Sequence, residues 1–199
     1  MIFLSLFFTG KSSAQSQWQI SVSSGIVSPK FFINTPLGYQ VEGRIFYKLS
    51  DSVQLSISTG FNCWNEDIGP DGNKFSSIPL LAGIKYSFPL GLFLPYWAGE
   101  LGVHFITRDY TFQNYKPSER FEGLYELVSS EPKRESVTKF VIRFGIGSTL
   151  VIYKNLDMDL SIRYNSISYN FIYIYYPTSQ MSTEKISFYS FLLGFNYKL

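Results

Sequence analysis

The chain has 199 residues, of which 45% are hydrophobic, 19% aromatic and only 16% charged. Soluble domains carry about a quarter charged residues, helical membrane proteins need apolar runs of about 20 residues, and disordered chains lack this ring content; all three descriptions fail beyond the first few positions. A net charge of +2 excludes a strongly basic nucleic-acid binder, and the single cysteine, Cys63, excludes an intramolecular disulfide or a cysteine zinc cluster.

The first fourteen residues, MIFLSLFFTGKSSA, have an apolar core from Ile2 to Phe8, then Thr9-Gly10-Lys11, then the small residues Ser12-Ser13-Ala14. This is the pattern of an export signal cleaved after Ala14, although it has no basic stretch ahead of the apolar core. Residues 15–199 are then one domain.

That domain divides into eight segments in which apolar and polar residues alternate, as in strands with one apolar face. The first, about 17–27, sets Trp18, Ile20, Val22 and Ile26 against Gln19, Ser21, Ser23 and Gly25. The second, about 38–49, sets Val41, Ile45, Tyr47 and Leu49 against Gln40, Glu42, Arg44 and Lys48. The third (53–64) and fourth (75–88) repeat the pattern, with Leu55 and Ile57 opposite Gln54 and Ser56, and Ile78 and Leu80 opposite Ser77 and Pro79. The fifth, about 94–109, places Trp97, Leu101 and Phe105 opposite Glu100, His104 and Arg108. The sixth (137–153) opposes Phe140, Ile142 and Phe144 to Arg143, Gly145 and Gly147. The seventh (156–170) opposes Met158, Leu160 and Ile162 to Asp157, Asp159 and Arg163, and the last (184–199) opposes Leu193, Phe195 and Tyr197 to Gly194, Asn196 and Lys198.

Eight is an even number of strands, as a closed up-and-down barrel requires. The connections alternate in length. Ser50-Asp51, the tract from Pro89 to Phe93 and Lys154-Asn155 are tight, whereas Asn65–Lys74, Tyr110–Ser136 and Phe171–Thr183 read as longer loops. Tight turns on one rim and long loops on the other describe an all-β, eight-stranded antiparallel up-and-down transmembrane barrel, with the tight turns periplasmic.

The interior of such a barrel is only wide enough for side chains to fill it. The bulky apolar set therefore faces lipid, and the Gly-, Ser- and Asn-rich set faces the lumen. A soluble, lipocalin-like ligand-binding barrel is the opposite assignment and the alternative. The inward positions carry Glu42, Arg44, Glu100, His104, Arg108, Arg143, Asp157, Asp159, Arg163 and Lys198. Charges enclosed in a barrel must pair, so these residues are expected to form a polar network that fills the lumen, with Asp157 and Lys198 facing each other near one rim.

Candidate chemistry is sparse. His104, the only histidine, falls on the inward parity and reads as a structural residue near Glu100; its use as a general base would make the chain an outer-membrane lipid-modifying enzyme, the other alternative. Cys63 falls on the lipid-facing parity and reads as a small hydrophobe. No phosphate loop, dinucleotide fingerprint or paired zinc ligands occur, so no cofactor and no metal are expected. Asp67 to Asn73 (DIGPDGN) lacks the spaced acids of a calcium loop and reads as a turn. The tract 110–136 combines Tyr110, Phe112, Tyr115, Phe121 and Tyr125 with Lys116, Glu119, Arg120, Glu122, Glu131, Lys133 and Arg134. Such a tract reads as a solvated loop, or, because mixed charge among rings also suits a binding surface, as a contact for an extracellular protein or glycan. The tract FIYIYY, 171–176, keeps alternating and is expected to project beyond the membrane and brace that loop.

Three stretches carry a family likeness: Ile78-Pro79-Leu80-Leu81 followed by Lys85-Tyr86; Pro95-Tyr96 leading to Gly99 and Gly102; and the end, Gly194-Phe195-Asn196-Tyr197-Lys198-Leu199. With these the chain resembles the small outer-membrane β-barrel proteins of the Bacteroidetes type, the PorT-like and OmpA-like barrel domains. The last stretch is similar to the terminal-strand signal read by the barrel assembly machinery, with Gly194, Tyr197 and Leu199 at the signal positions; Leu199 departs from the common terminal phenylalanine. The resemblance implies an integral protein of the bacterial outer membrane, in contact with its lipid and with the assembly machinery. It supplies no catalytic residues, and a structural or surface-interaction role is expected rather than an enzymatic one.

Overall fold

A computed structural model describes residues 17–29, 37–66, 73–88, 90–117, 125–175 and 180–199. The export-signal segment 1–14 and residues 67–72 of the DIGPDGN tract lie outside the described residues. Eight strands follow one another: β1 Trp18–Ser28, β2 Gly38–Lys48, β3 Val53–Glu66, β4 Asn73–Ser87, β5 Phe93–Pro117, β6 Tyr125–Tyr153, β7 Leu156–Tyr175 and β8 Gln180–Lys198. Each pairs antiparallel with its sequence neighbours, and β8 pairs with β1 to close an up-and-down barrel.

The register fixes the barrel's dimensions. Followed once around the wall, the ladder runs Trp18, Tyr47, Leu55, Ile84, Gly99, Phe144, Tyr164, Tyr189 and returns to β1 at Ser28, ten residues from its start. With eight strands about 4.8 Å apart and about 3.3 Å per residue, that stagger tilts the strands by about 40° and sets a backbone radius of about 8 Å. Side chains from opposite walls meet across such a radius, so the inside must be a packed core.

Alternation then sorts the residues. Val22, Ile57, Leu101, Phe144 and Ile146 are exposed on the outer face, while Gln40, Glu42, Ser58, Asn62, Arg143 and Asn165 are almost completely buried inside. On β6 the exposed apolar side chains run from Phe140 to Ile152, a belt about 30 Å high at this tilt. Aromatic pairs girdle the belt near the tight-turn rim, with Trp18 against Tyr47 at 4.9 Å and Tyr86 against Trp97 at 6.0 Å. Tyr164 sits higher, against Tyr189 at 5.1 Å.

Both chain ends of the barrel and all three tight turns share one rim. In the β2–β3 turn the Leu49 and Ser50 amides donate to the Val53 carbonyl at 2.9 and 3.1 Å. In the β4–β5 turn Gly91 takes φ 73°, a left-handed conformation that suits glycine. At the seam the Leu199 amide donates to the Trp18 carbonyl at 3.1 Å.

The opposite rim departs from the sequence reading. The tract 110–136, expected as a loop, is instead a β-hairpin: β5 and β6 stay paired from Phe93↔Leu150 to Pro117↔Tyr125, with one register shift at Asn114/Tyr115. The expected loop 171–183 is also mostly strand, with β7 and β8 paired out to Tyr175↔Gln180. From Ser129 to Ser136 no side chain is buried on either face, so the alternation fades there while the backbone ladder continues. The FIYIYY tract does not brace the other hairpin through strand pairing, because the β6–β7 ladder stops at Val141↔Ile167.

Close approach within the wall and charge at its rim can each be tested. A Cβ on Gly25 would lie 1.8 Å from the Phe191 carbonyl oxygen, whereas one on Gly43 would meet nothing within 4 Å. Gly25→Ala is expected to lower unfolding stability in detergent by about 1–3 kcal/mol through backbone displacement, and Gly43→Ala to leave the urea midpoint unchanged. At the β2–β3 turn Lys48 Nζ approaches Asp51 Oδ1 at 2.7 Å, and its hydrogen bond holds the Asp51 carboxyl below the usual aspartate value of 3.8. The pair is intact above that range and is lost as the pH falls through the lowered midpoint. A carboxyl NMR titration should place Asp51 below 3.8, and Lys48→Met should move it back up.

Candidate functional site

The lumen holds the concentration of ionisable groups, supplied by inward positions of β2 and of β4 to β8. At its centre is the Glu42 carboxylate on β2. It accepts from Gln40 Nε2 at 2.9 Å, from Arg143 Nη1 at 2.6 Å, from Arg163 Nη1 at 2.6 Å, and from Arg44. A carboxylate has about four acceptor sites, so Glu42 is saturated. Glu100 on β5 shares two of these cations, lying 3.1 Å from Arg143 Nη1 and 3.4 Å from Arg44 Nη2. Arg143 is the connector: its Nε donates to Asn165 Oδ1 at 2.8 Å, and Asn165 donates on to Ser190 at 3.4 Å. Three guanidiniums thus meet two carboxylates, and all five side chains are nearly inaccessible to solvent.

A second layer lies toward the tight turns. Lys85 Nζ donates to Thr149 Oγ1 at 3.0 Å and lies 3.5 Å from Asp159 Oδ2, while Tyr96 and Thr149 donate to Asp159 at 2.8 and 3.0 Å. The ammonium also sits over the Tyr96 ring at 3.9 Å and the Phe46 ring at 5.3 Å. Closer to the rim, Lys198 Nζ reaches Asp157 at 2.9 and 3.0 Å across β7 and β8. A polar cup of about 320 Å³ opens there, with Lys85 and Asp157 among its lining residues.

Toward the long hairpins the lumen becomes apolar. Val27, Trp64, Phe75, Leu81, Ile106, Val141, Ile167, Ile186 and Phe188 form one buried cluster. Trp64 stacks on Phe75 at 5.1 Å with planes 9° apart and leans on Phe188 at 5.1 Å. This lid was not among the expected site residues. Its signal was present in the parity, since each member falls on the inward set, but the lumen was expected to be polar.

His104 lies between the two regions, fully buried. Its Nδ1 contacts Ser77 Oγ at 3.2 Å, and its ring meets the edge of Phe188 at 6.1 Å. The expected neighbour was Glu100; the hydrogen-bonding partner is Ser77, which also accepts from Asn62 Nδ2 at 3.1 Å. Arg108 sits higher, over the rings of Phe75 at 5.9 Å and Tyr110 at 5.0 Å. Cys63 is a free thiol, buried although its parity points outward, directly across the ladder from Tyr39. Gly194 pairs with Asp159 and Ser23 within the wall, while Tyr197 and Leu199 face outward and are exposed. Among the described residues no group of three or more His, Cys, Asp or Glu is placed to hold a metal ion.

Removing one member of a buried ion cluster leaves uncompensated charge, at a cost of about 3–5 kcal/mol. Glu42→Ala takes from Arg163 its carboxylate in the cluster and leaves Arg44 and Arg143 with Glu100 alone, and is expected to cost that much in a urea titration of the detergent-folded protein. The paired change Glu42→Met with Arg143→Met should recover part of it.

No family model matches the sequence, and no curated protein does. Solved structures with the same fold do match. Neisserial surface protein A is 15% identical, with 94% of this chain and 100% of that chain covered and a TM-score of 0.60. The outer membrane protein OprG from Pseudomonas aeruginosa is 14% identical, with coverage of 93% and 97% and a TM-score of 0.50. A major outer membrane protein from Thermus thermophilus is 13% identical, with coverage of 92% and 99% and a TM-score of 0.50. The architecture of this chain, a closed eight-stranded antiparallel barrel, is therefore that of small outer-membrane barrels.

Proposed function

We propose that this chain is an integral protein of the bacterial outer membrane, of the PorT-like or OmpA-like kind, whose plugged barrel anchors a surface-exposed β-hairpin that contacts an extracellular protein or glycan. The observation that carries this reading is the inverted distribution of residues, with bulky apolar side chains outside and a saturated charge cluster within. In water that arrangement would expose a belt about 30 Å high at great cost; in a bilayer the same belt matches the hydrocarbon thickness of about 30 Å. The likeness to outer-membrane barrels and the export-signal pattern at 1–14 support it.

The lumen is closed twice, by the Glu42–Arg143 cluster and by the Trp64–Phe75–Phe188 lid, so solute passage is not its task. What remains for function is the β5–β6 hairpin, which extends twelve residues past Phe105 to Pro117, about 40 Å of strand. The contact between Ser77 and His104 raises the alternative of a lipid-modifying hydrolase. Both residues are enclosed within the wall, Ser77 2% and His104 0% exposed, which gives a lipid substrate no route to them.

Two measurements test the proposal. Protein from purified outer membranes should migrate faster on gels before boiling than after it, and should show no conductance in planar bilayers. Recovery only in the soluble fraction, or stable unitary channels, would contradict it. His104→Ala should leave the lipid A profile of the cell unchanged; an altered profile would favour the hydrolase.

A further inference from the structure

The outer face of the barrel changes character above its apolar belt. On β4, β5 and β6 the last exposed apolar side chains toward the long hairpins are Ile78, Phe105 and Phe140. Beyond them on the same outward parity come Lys74, Asp109 and Arg134. Four to six residues of strand tilted by about 40° rise about 10–15 Å, past the headgroup layer of about 5–8 Å on each side of the hydrocarbon core, a distance that the long Lys74 and Arg134 side chains span back toward the bilayer. Other outward positions of that band, Asn65 on β3, Ser166 and Ser168 on β7 and Ser187 on β8, are uncharged. Among the described side chains the charge of this band is confined to one sector.

That sector has a concave shape. The β4–β5 ladder stops at Lys74↔Asp109, so among the described residues no strand pairs with that edge of β5 at Tyr110 and Thr111. A cleft of about 410 Å³ forms there; among the described residues its lining holds Lys74, Lys133 and Arg134 and the acid Asp109. Arg134 holds Asp109 through Nε at 2.6 Å and Nη2 at 3.0 Å. A guanidinium has five N–H donors, so this grip orients Arg134 while leaving donors for a second anion. On the outward parity two cations, Lys74 and Arg134, flank the single described acid, Asp109, and they face sideways above Phe105 and Phe140, within side-chain reach of headgroup height.

We propose that this cleft seats the phosphorylated headgroup of an outer-leaflet lipid, with Lys74 and Arg134 on the phosphate and the acyl chains descending over Phe105 and Phe140. Arginine forks match phosphate oxygens, and each basic residue near a membrane surface adds to the attraction for anionic lipid. A protein ligand approaching from above would meet the tip of the hairpin first, whereas a lipid reaches this sector by lateral diffusion. The inference rests on the outer-membrane reading and names the lipid chemistry of one face of it.

The test is native mass spectrometry of the full barrel in zwitterionic nanodiscs doped with bisphosphorylated lipid A or with its dephosphorylated form. The wild type should retain the phosphorylated lipid about tenfold better. Lys74→Ala with Arg134→Ala should abolish that preference, Asp109→Asn should preserve or strengthen it, and inorganic phosphate should not displace the lipid. Equal retention of both lipids by the wild type, or an unchanged preference in the double variant, would overturn the proposal; displacement by inorganic phosphate would overturn the choice of a lipid over free phosphate. The boiling-sensitive gel shift, run on every variant, reads membrane folding separately. A wild type without the shift defeats the outer-membrane reading, whereas a shifting barrel without lipid preference defeats only this one. Should the alanine pair fail to shift, Lys74→Gln with Arg134→Gln takes its place under the same criteria.

Discussion

Everything inside this barrel answers to the Glu42 carboxylate. Eight strands with a ten-residue stagger leave a lumen about 8 Å in radius at the backbone, too narrow for bulk water and too wide to close without side chains. The chain fills it with long cations, and Arg44, Arg143 and Arg163 tolerate enclosure because Glu42 and Glu100 lie among them. Ion pairs out of water are weak sources of net stability, because desolvation offsets their attraction. They are strong sources of register. A shift of one residue in any of β2, β5, β6 or β7 would turn a member of the cluster outward and strand its partners. The cluster thus selects one stagger from several that the alternating pattern alone would permit.

The two lumen layers divide the remaining work. The charge cluster and the Lys85–Asp159–Tyr96 group occupy the half nearer the tight turns, where strands and connections are short. The apolar lid of Trp64, Phe75 and Phe188 occupies the half nearer the hairpins. A closed cylinder with no free edge is a suitable base for a hairpin whose ladder, among the described residues, continues in β5 and β6 alone. Below the hairpin, the charged sector around Arg134 and Asp109 interrupts an otherwise uniform outer face among the described residues.

The fold was legible because lipid and a narrow lumen impose opposite demands on alternate residues. Trp18, Ile20 and Val22 against Gln19, Ser21 and Ser23 cannot belong to a helix, and their repetition in eight segments leaves little but a barrel. Short connections such as Lys154-Asn155 then order the rims. The same parity put Glu42, Arg143 and Arg163 on one set of positions. Their partnerships were not legible: Glu42 meets Arg163 across 121 positions of sequence, and only the stagger brings them together. Two features were misread for physical reasons. Residues 129–136 show no alternation because neither face of the hairpin is buried there, and a strand signal built on burial cannot detect such a stretch. The lid went unnoticed because Trp64 and Phe75 obey the inward parity but contradict the expectation of a polar lumen; an eight-stranded interior requires filling, and rings fill it as well as ion pairs.

On this reading odd-numbered residues of β5 from Trp97 to Phe105 face lipid and even-numbered ones face a packed interior. Spin labels placed singly from Trp97 to Phe105, in a Cys63→Ser background reconstituted in bilayers, test this directly through their collision rates with dissolved oxygen. High oxygen accessibility is expected at 97, 99, 101, 103 and 105 and low accessibility at the positions between them. High accessibility at 98, 100, 102 and 104 instead, or no alternation at all, would contradict it.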